Sequence, residues 1–161
     1  MKLFKNIKKW LENQEHLFYL FLLILIVPNI ILCFTEPIPV VAKVCNVLLP
    51  FAFYYLLMTL SRNCGKMFWI LFLFIFFGAF QIVLLYLFGQ SIIAVDMFLN
   101  LVTTNSSEAM ELLDNLVPAL VSVIILYIPA LILAAISIIK KRKLSPEFIR
   151  RERKKAWIAL L

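Results

Sequence analysis

Histidine is almost absent from this chain: His16 is the only one in 161 residues. Cysteine is sparse too, and Cys33, Cys45 and Cys64 match neither a zinc-site spacing nor an even-numbered disulfide framework. A metal site of Asp, Glu and His beside an activated nucleophile cannot be assembled from such a set, so no catalytic and no metal-binding residue is expected in this chain. His16 reads as an interfacial residue at the edge of an apolar block. Cys33 and Cys45 lie in apolar runs and read as small buried hydrophobes. Polar residues are also too few for a soluble domain of this length, which needs them to cover its surface.

What is present is apolar. Hydrophobic residues make up 64% and aromatics 14% of the chain, with a mean hydropathy of +1.00. They fall in blocks of about 18 or more, the length that crosses a hydrocarbon core of roughly 30 Å. The expected fold is therefore all-α, a polytopic membrane helix bundle. Its four complete transmembrane helices are predicted at residues 17–34, 40–60, 67–88 and 116–139, with a fifth beginning near residue 156. The first block is too long for a signal-peptide core and lacks an Ala-x-Ala cleavage site, so it reads as an uncleaved anchor. Before it, residues 1–15 form a basic amphipathic segment. Leu3, Phe4, Ile7, Trp10 and Leu11 share one helical face, with Lys2, Lys5, Lys8 and Lys9 elsewhere, a pattern suited to the headgroup plane.

The net charge of +7 is placed as a topology signal and not as a nucleic-acid footprint. Lysines 2, 5, 8 and 9 precede the first span, Arg62 and Lys66 separate the second and third, and nine basic residues lie within 140–155. These alternate segments must share a side, which the positive-inside rule makes cytoplasmic. The other side carries Glu36, Asp96, Glu108, Glu111 and Asp114 and no basic residue in its loops. Lys43, just inside the second span, is the exception; it can snorkel to outer phosphates or pair with Glu36. In the basic link, Ser145 is the expected N-cap, Pro146 the first helical residue, and Leu144 with Ile149 a hydrophobic staple. Residues 156–161 look like the opening of a span that the sequence does not complete, as in a truncated chain.

Residues 89–115 form an outer segment of 27 residues, longer than a plain connection requires. Asp96, Asn100, Thr104 and Glu108 recur every four residues. On a continuous helix, Asn100, Thr104 and Glu108 line one face about 12 Å long. An amide, a hydroxyl and a carboxylate suit a zwitterionic headgroup: the carboxylate attracts the ammonium, and the other two donate to phosphate oxygens. A second reading makes Asn105-Ser106-Ser107-Glu108 a capping box, with a helix starting at Ser106 and a bend before it. The two roles are compatible. Asn105-Ser106-Ser107 also matches an N-glycosylation sequon, a pattern of little weight.

The string Asp96-Met97-Phe98-Leu99-Asn100-Leu101-Val102-Thr103-Thr104-Asn105-Ser106-Ser107-Glu108-Ala109-Met110-Glu111-Leu112-Leu113 resembles the periplasmic segment of bacterial lipid A phosphoethanolamine transferases. Those enzymes share the membrane layout: five spans, a long outer loop after the third and a basic link before the fifth. The resemblance covers the whole chain in layout and about 18 residues in motif. It implies that Asn100, Thr104 and Glu108 contact the phosphoethanolamine-bearing substrate. It also implies a periplasmic sulfatase- or alkaline-phosphatase-like domain after the fifth span, with a threonine nucleophile and zinc, which this chain lacks. The partners it implies are phosphatidylethanolamine, lipid A-type glycolipids of lipopolysaccharide, and the catalytic domain of the whole protein. The implied location is the bacterial inner membrane. Two alternatives stand beside it. One is a non-enzymatic polytopic protein such as a transporter subunit or assembly factor; the other keeps the family but changes the acceptor.

Overall fold

The computed structural model describes residues 10–88 and 106–161, and their side chains apart from those of residues 86, 88 and 106–115. Among the described residues the fold is all-helical. Six helices follow in order: α1 (Gln14–Thr35), α2 (Val40–Met58), α3 (Cys64–Ile70), α4 (Phe72–Phe88), α5 (Ser106–Ile139) and α6 (Pro146–Leu160). Three of them are long and apolar enough to cross a membrane, α1, α2 and residues 116–139 of α5; α3 and α4 make a fourth if the bent pair is one span.

Three of the helices start where a side chain satisfies an orphan N–H group, whereas α2 opens at Pro39 with no side-chain cap. The Asn13 side chain accepts from the Glu15 N–H at 2.9 Å and opens α1. Asn63 accepts from the Lys66 N–H at 2.8 Å and opens α3. Ser145 accepts from the Phe148 N–H at 3.1 Å, with Pro146 at the first helical position of α6, as the sequence predicts. Leu144 and Ile149, the expected staple, are both buried. Helix α5 ends in a two-bond C-cap, in which Arg142 N–H donates to the Ser137 carbonyl and Lys141 N–H to that of Ile138. Lys141 holds a positive φ of 50° there, the position that glycine ordinarily fills.

The expected third span over 67–88 falls on a bent pair of helices. The helix begins at Cys64 and breaks at Leu71, where the α3 and α4 axes differ by 62°. No proline or glycine lies at the break. Packing on both sides of it provides the cause. Phe68 stacks on Phe21 with ring centroids 4.4 Å apart, and Leu71 is buried. Gly65 presses α3 onto α5 so closely that a Cβ there would collide with the Ala134 carbonyl oxygen. A second close approach is at Gly78, where a Cβ would come within 2.8 Å of both the Pro28 ring and the Tyr127 hydroxyl. Hydropathy carries neither constraint.

Helix α1 is the axis of the bundle. Half of its most apolar window is buried inside the protein, against 11% for α2 and 22% for the apolar part of α5. The core gathers around Leu17, Phe18, Phe21, Met58, Phe68 and Phe148. Large apolar side chains such as Leu23, Leu48, Phe72, Phe76, Ile125 and Ile132 point outward, a surface suited to acyl chains and not to water. Cys45 belongs to that outward set, contrary to the buried reading, because α2 offers only one face to its neighbours; Cys33 is half-buried and Cys64 is the buried thiol.

Candidate functional site

The basic segments, far apart in sequence, meet at one end of the bundle. Arg142 donates to the Glu12 carbonyl at 3.3 Å and lies 3.9 Å from its carboxylate. The Leu144 N–H donates to the Arg62 carbonyl at 2.7 Å, and Arg62 Nε donates back to the Leu144 carbonyl at 3.1 Å. Asn63 Nδ2 reaches the carbonyls of Ser137 and Arg142 at 3.3 and 3.0 Å. Gln14 Oε1 accepts from Ser137 Oγ at 2.7 Å and from Cys64 Sγ at 3.4 Å, tying α1, α3 and α5 together. Residues 12, 62, 142 and 153 therefore share a side, as the charge pattern requires.

Helix α6 is fixed to this end by a buried acid. Glu152 is fully buried and accepts from the Tyr55 hydroxyl, from Arg151 Nε at 2.8 Å and from Lys155 Nζ at 3.0 Å. Burial alone would push its carboxyl up. The donated hydrogen bonds outweigh that and hold it at about 2, below the ordinary 4.5. Two turns of backbone are joined by Arg153, whose Nη2 donates to the Thr59 carbonyl at 2.7 Å.

Away from the basic end, polar contacts thin out. Asn29 and Asn46 exchange two bonds between α1 and α2, at 3.2 Å side chain to side chain and 2.9 Å from Asn46 Nδ2 to the Asn29 carbonyl. Cys33 Sγ donates to the Lys43 carbonyl at 3.3 Å; the Lys43 side chain is half-buried and Glu36 is buried. A recess of about 250 Å³, lined in part by Asn29, Tyr54, Gly78 and Gln81, opens between α1, α2 and α4.

Of the predicted substrate residues, Asn100 and Thr104 lie outside the described residues. The backbone of Glu108 lies in the first turn of α5, a single helix of 34 residues that starts at Ser106 and runs on through the fourth apolar block. Asn105, the N-cap of the capping-box reading, lies outside the described residues. The ring of His16 stacks on Trp10 at 4.9 Å, with Nδ1 3.3 Å from the Trp10 carbonyl, in keeping with an interfacial role. Among the described residues, no group of three or more His, Cys, Asp or Glu side chains could hold a metal ion.

Sequence reasoning missed Glu152 as the partner of Tyr55, 97 residues away. The available signal was its position four residues after Phe148 and four before Ala156, on the apolar stripe of an otherwise basic helix. Comparison of the chain with family models, with curated proteins and with solved structures yields no match.

Proposed function

We propose that the chain is the membrane domain of a phosphoethanolamine transferase. In the whole enzyme it would hold a catalytic domain at the outer surface of a bacterial inner membrane. The donor would be phosphatidylethanolamine and the acceptor lipid A or a related glycolipid. The domain would comprise four complete spans and the start of a fifth, with a cytoplasmic N-terminus. Confining the active site to the membrane of both substrates replaces a three-dimensional search.

The observation that carries the reading is the sequence string Asn100, Thr104, Glu108, whose last member lies in the first turn of α5. Helical rise supports its separation from the basic segments: from Glu108 to Ile139 the chain climbs about 46 Å, more than the roughly 30 Å of hydrocarbon it must cross. With Ile139 at the basic end, Glu108 would stand clear of the apolar layer on the other side, within reach of headgroups. There its carboxylate would meet the ammonium of ethanolamine, while Asn100 and Thr104 would donate to phosphate oxygens.

The test uses the chain in vesicles with a photoactivatable phosphatidylethanolamine. Wild type should crosslink several-fold more than Glu108→Ala, and more than it does to the matching phosphatidylcholine probe. Equal labelling of the variant or of the choline probe would overturn the assignment. Sidedness is read separately, with Ser107→Cys in a Cys33→Ala/Cys45→Ala background. An impermeant maleimide should modify it from outside intact cells; modification from the cytoplasm alone reverses the orientation.

A further inference from the structure

Four cations of the basic end converge on one groove. Arg62, from the turn between α2 and α3, faces Arg150, Arg153 and Lys154 of α6 across a cavity of about 370 Å³, with Ile149 in its lining and Trp157 completing it. Among the described residues no carboxylate lines this groove. Glu152, the nearest acid in sequence, is turned to the opposite face of α6 and taken up by Tyr55, Arg151 and Lys155. Glu147 lies one turn before Arg150 and outside the lining.

The helix pattern explains the sorting. Phe148, Ile149, Glu152 and Ala156 face the bundle, while Arg150, Arg153, Lys154 and Trp157, spaced three and four residues apart, form the other stripe. Two of the guanidinium groups are pre-set. Arg62 Nε is held by the Leu144 carbonyl and Arg153 Nη2 by the Thr59 carbonyl, so both forks are anchored through one nitrogen while others remain for a ligand. Like charges collected in one recess repel one another unless an anion joins them.

The same stripe turns apolar as it continues. Trp157 is 51% exposed and Ile158 74%. A ligand fitting the whole stripe bears a phosphate at one end and hydrocarbon at the other. We propose that this groove is a binding site for the headgroup of an anionic phospholipid, with the phosphodiester on Arg62, Arg150, Arg153 and Lys154 and the glycerol and chains passing Trp157. This site is at the opposite end from Glu108 and does not rest on the transferase reading.

The experiment compares two charge-matched pairs in the full chain, each removing two cations. Arg150→Gln/Lys154→Gln removes groove cations that make no described contact with protein, so the melting temperature should hold. Lys140→Gln/Lys143→Gln removes the same charge from exposed positions at the same end. Binding of dioleoyl phosphatidylglycerol to the detergent-solubilised protein is read by native mass spectrometry, against dioleoyl phosphatidylcholine, inorganic phosphate and glycerol 3-phosphate. Wild type should retain phosphatidylglycerol selectively. The groove pair should weaken it about tenfold or more and the control pair by less than about threefold. Equal weakening by both pairs would mean diffuse attraction and would overturn the site. Binding of inorganic phosphate or glycerol phosphate as tightly as of the lipid would overturn the lipid assignment.

Discussion

The two ends of this bundle are built differently. At the basic end, α1, α2, α3, α5 and α6 and the turns beside them are cross-tied by side-chain hydrogen bonds, and most of the large buried aromatics lie nearby. Towards the other end, one Asn29–Asn46 exchange and a thiol contact join α1 to α2, and a recess lies between the helices. The difference teaches where rigidity is stored. An apolar surface packs against acyl chains nearly as well as against another helix, so association needs close backbone approach and interhelical hydrogen bonds. Among the described residues the hydrogen bonds are concentrated where the charges are, while close approach occurs both there, at Gly65, and at Gly78 beside the recess.

Mutations can break this contrast. The largest effect is expected from Gly65→Ala, whose new Cβ meets the backbone of α5 and not a movable side chain. A loss of about 3 kcal/mol in detergent unfolding is expected. Gly78→Ala should cost less, since its Cβ meets the Pro28 ring and the Tyr127 hydroxyl at 2.8 Å and no backbone atom as close as the one at Gly65. Next is Glu152→Ala. It strands the Tyr55 hydroxyl while Arg151 and Lys155, both more than half exposed, turn to water. A loss of about 2 kcal/mol is expected, with faster hydrogen exchange in α6.

The same carboxylate gives a pH signature. Its pKa is lowered on folding, so its contribution is complete above the ordinary value of 4.5 and is lost as pH falls towards about 2. A distance probe between α2 and α6 should report undocking in that window, and Glu152→Gln should abolish the pH dependence. At the sparse end, Asn46→Ala removes both bonds to Asn29 and should cost only about 1 kcal/mol. If it costs more than Glu152→Ala, the contrast between the ends fails. The smallest expected change is a gain: Lys141→Gly relieves a positive φ and should stabilise by about 0.5–1 kcal/mol in the same assay.

Much of this architecture is legible in order along the chain. Length and hydropathy give the apolar blocks, and Ser145-Pro146 gives the start of α6, because these depend on neighbours in sequence. The bend at Leu71 is not legible. It arises from Phe68 on Phe21 and Gly65 on Ala134, contacts made across the bundle. The Tyr55–Glu152 pair is hidden for the same reason, and composition makes Glu152 look like one acid diluted in a basic run. The candidate substrate residues are legible only as a resemblance. Their spacing is equally compatible with a helix cap, and Asn100 and Thr104 fall outside the described residues.

The paired bonds between Arg62 and Leu144 have a consequence for how the protein is made. Eighty-two residues separate the partners, so at ordinary ribosomal speed Leu144 emerges roughly 4–16 s after Arg62. Until then the turn after α2 has no latch, and Tyr55 waits longer still for Glu152. Arrival of residues 144–155 then latches the basic end of the earlier helices.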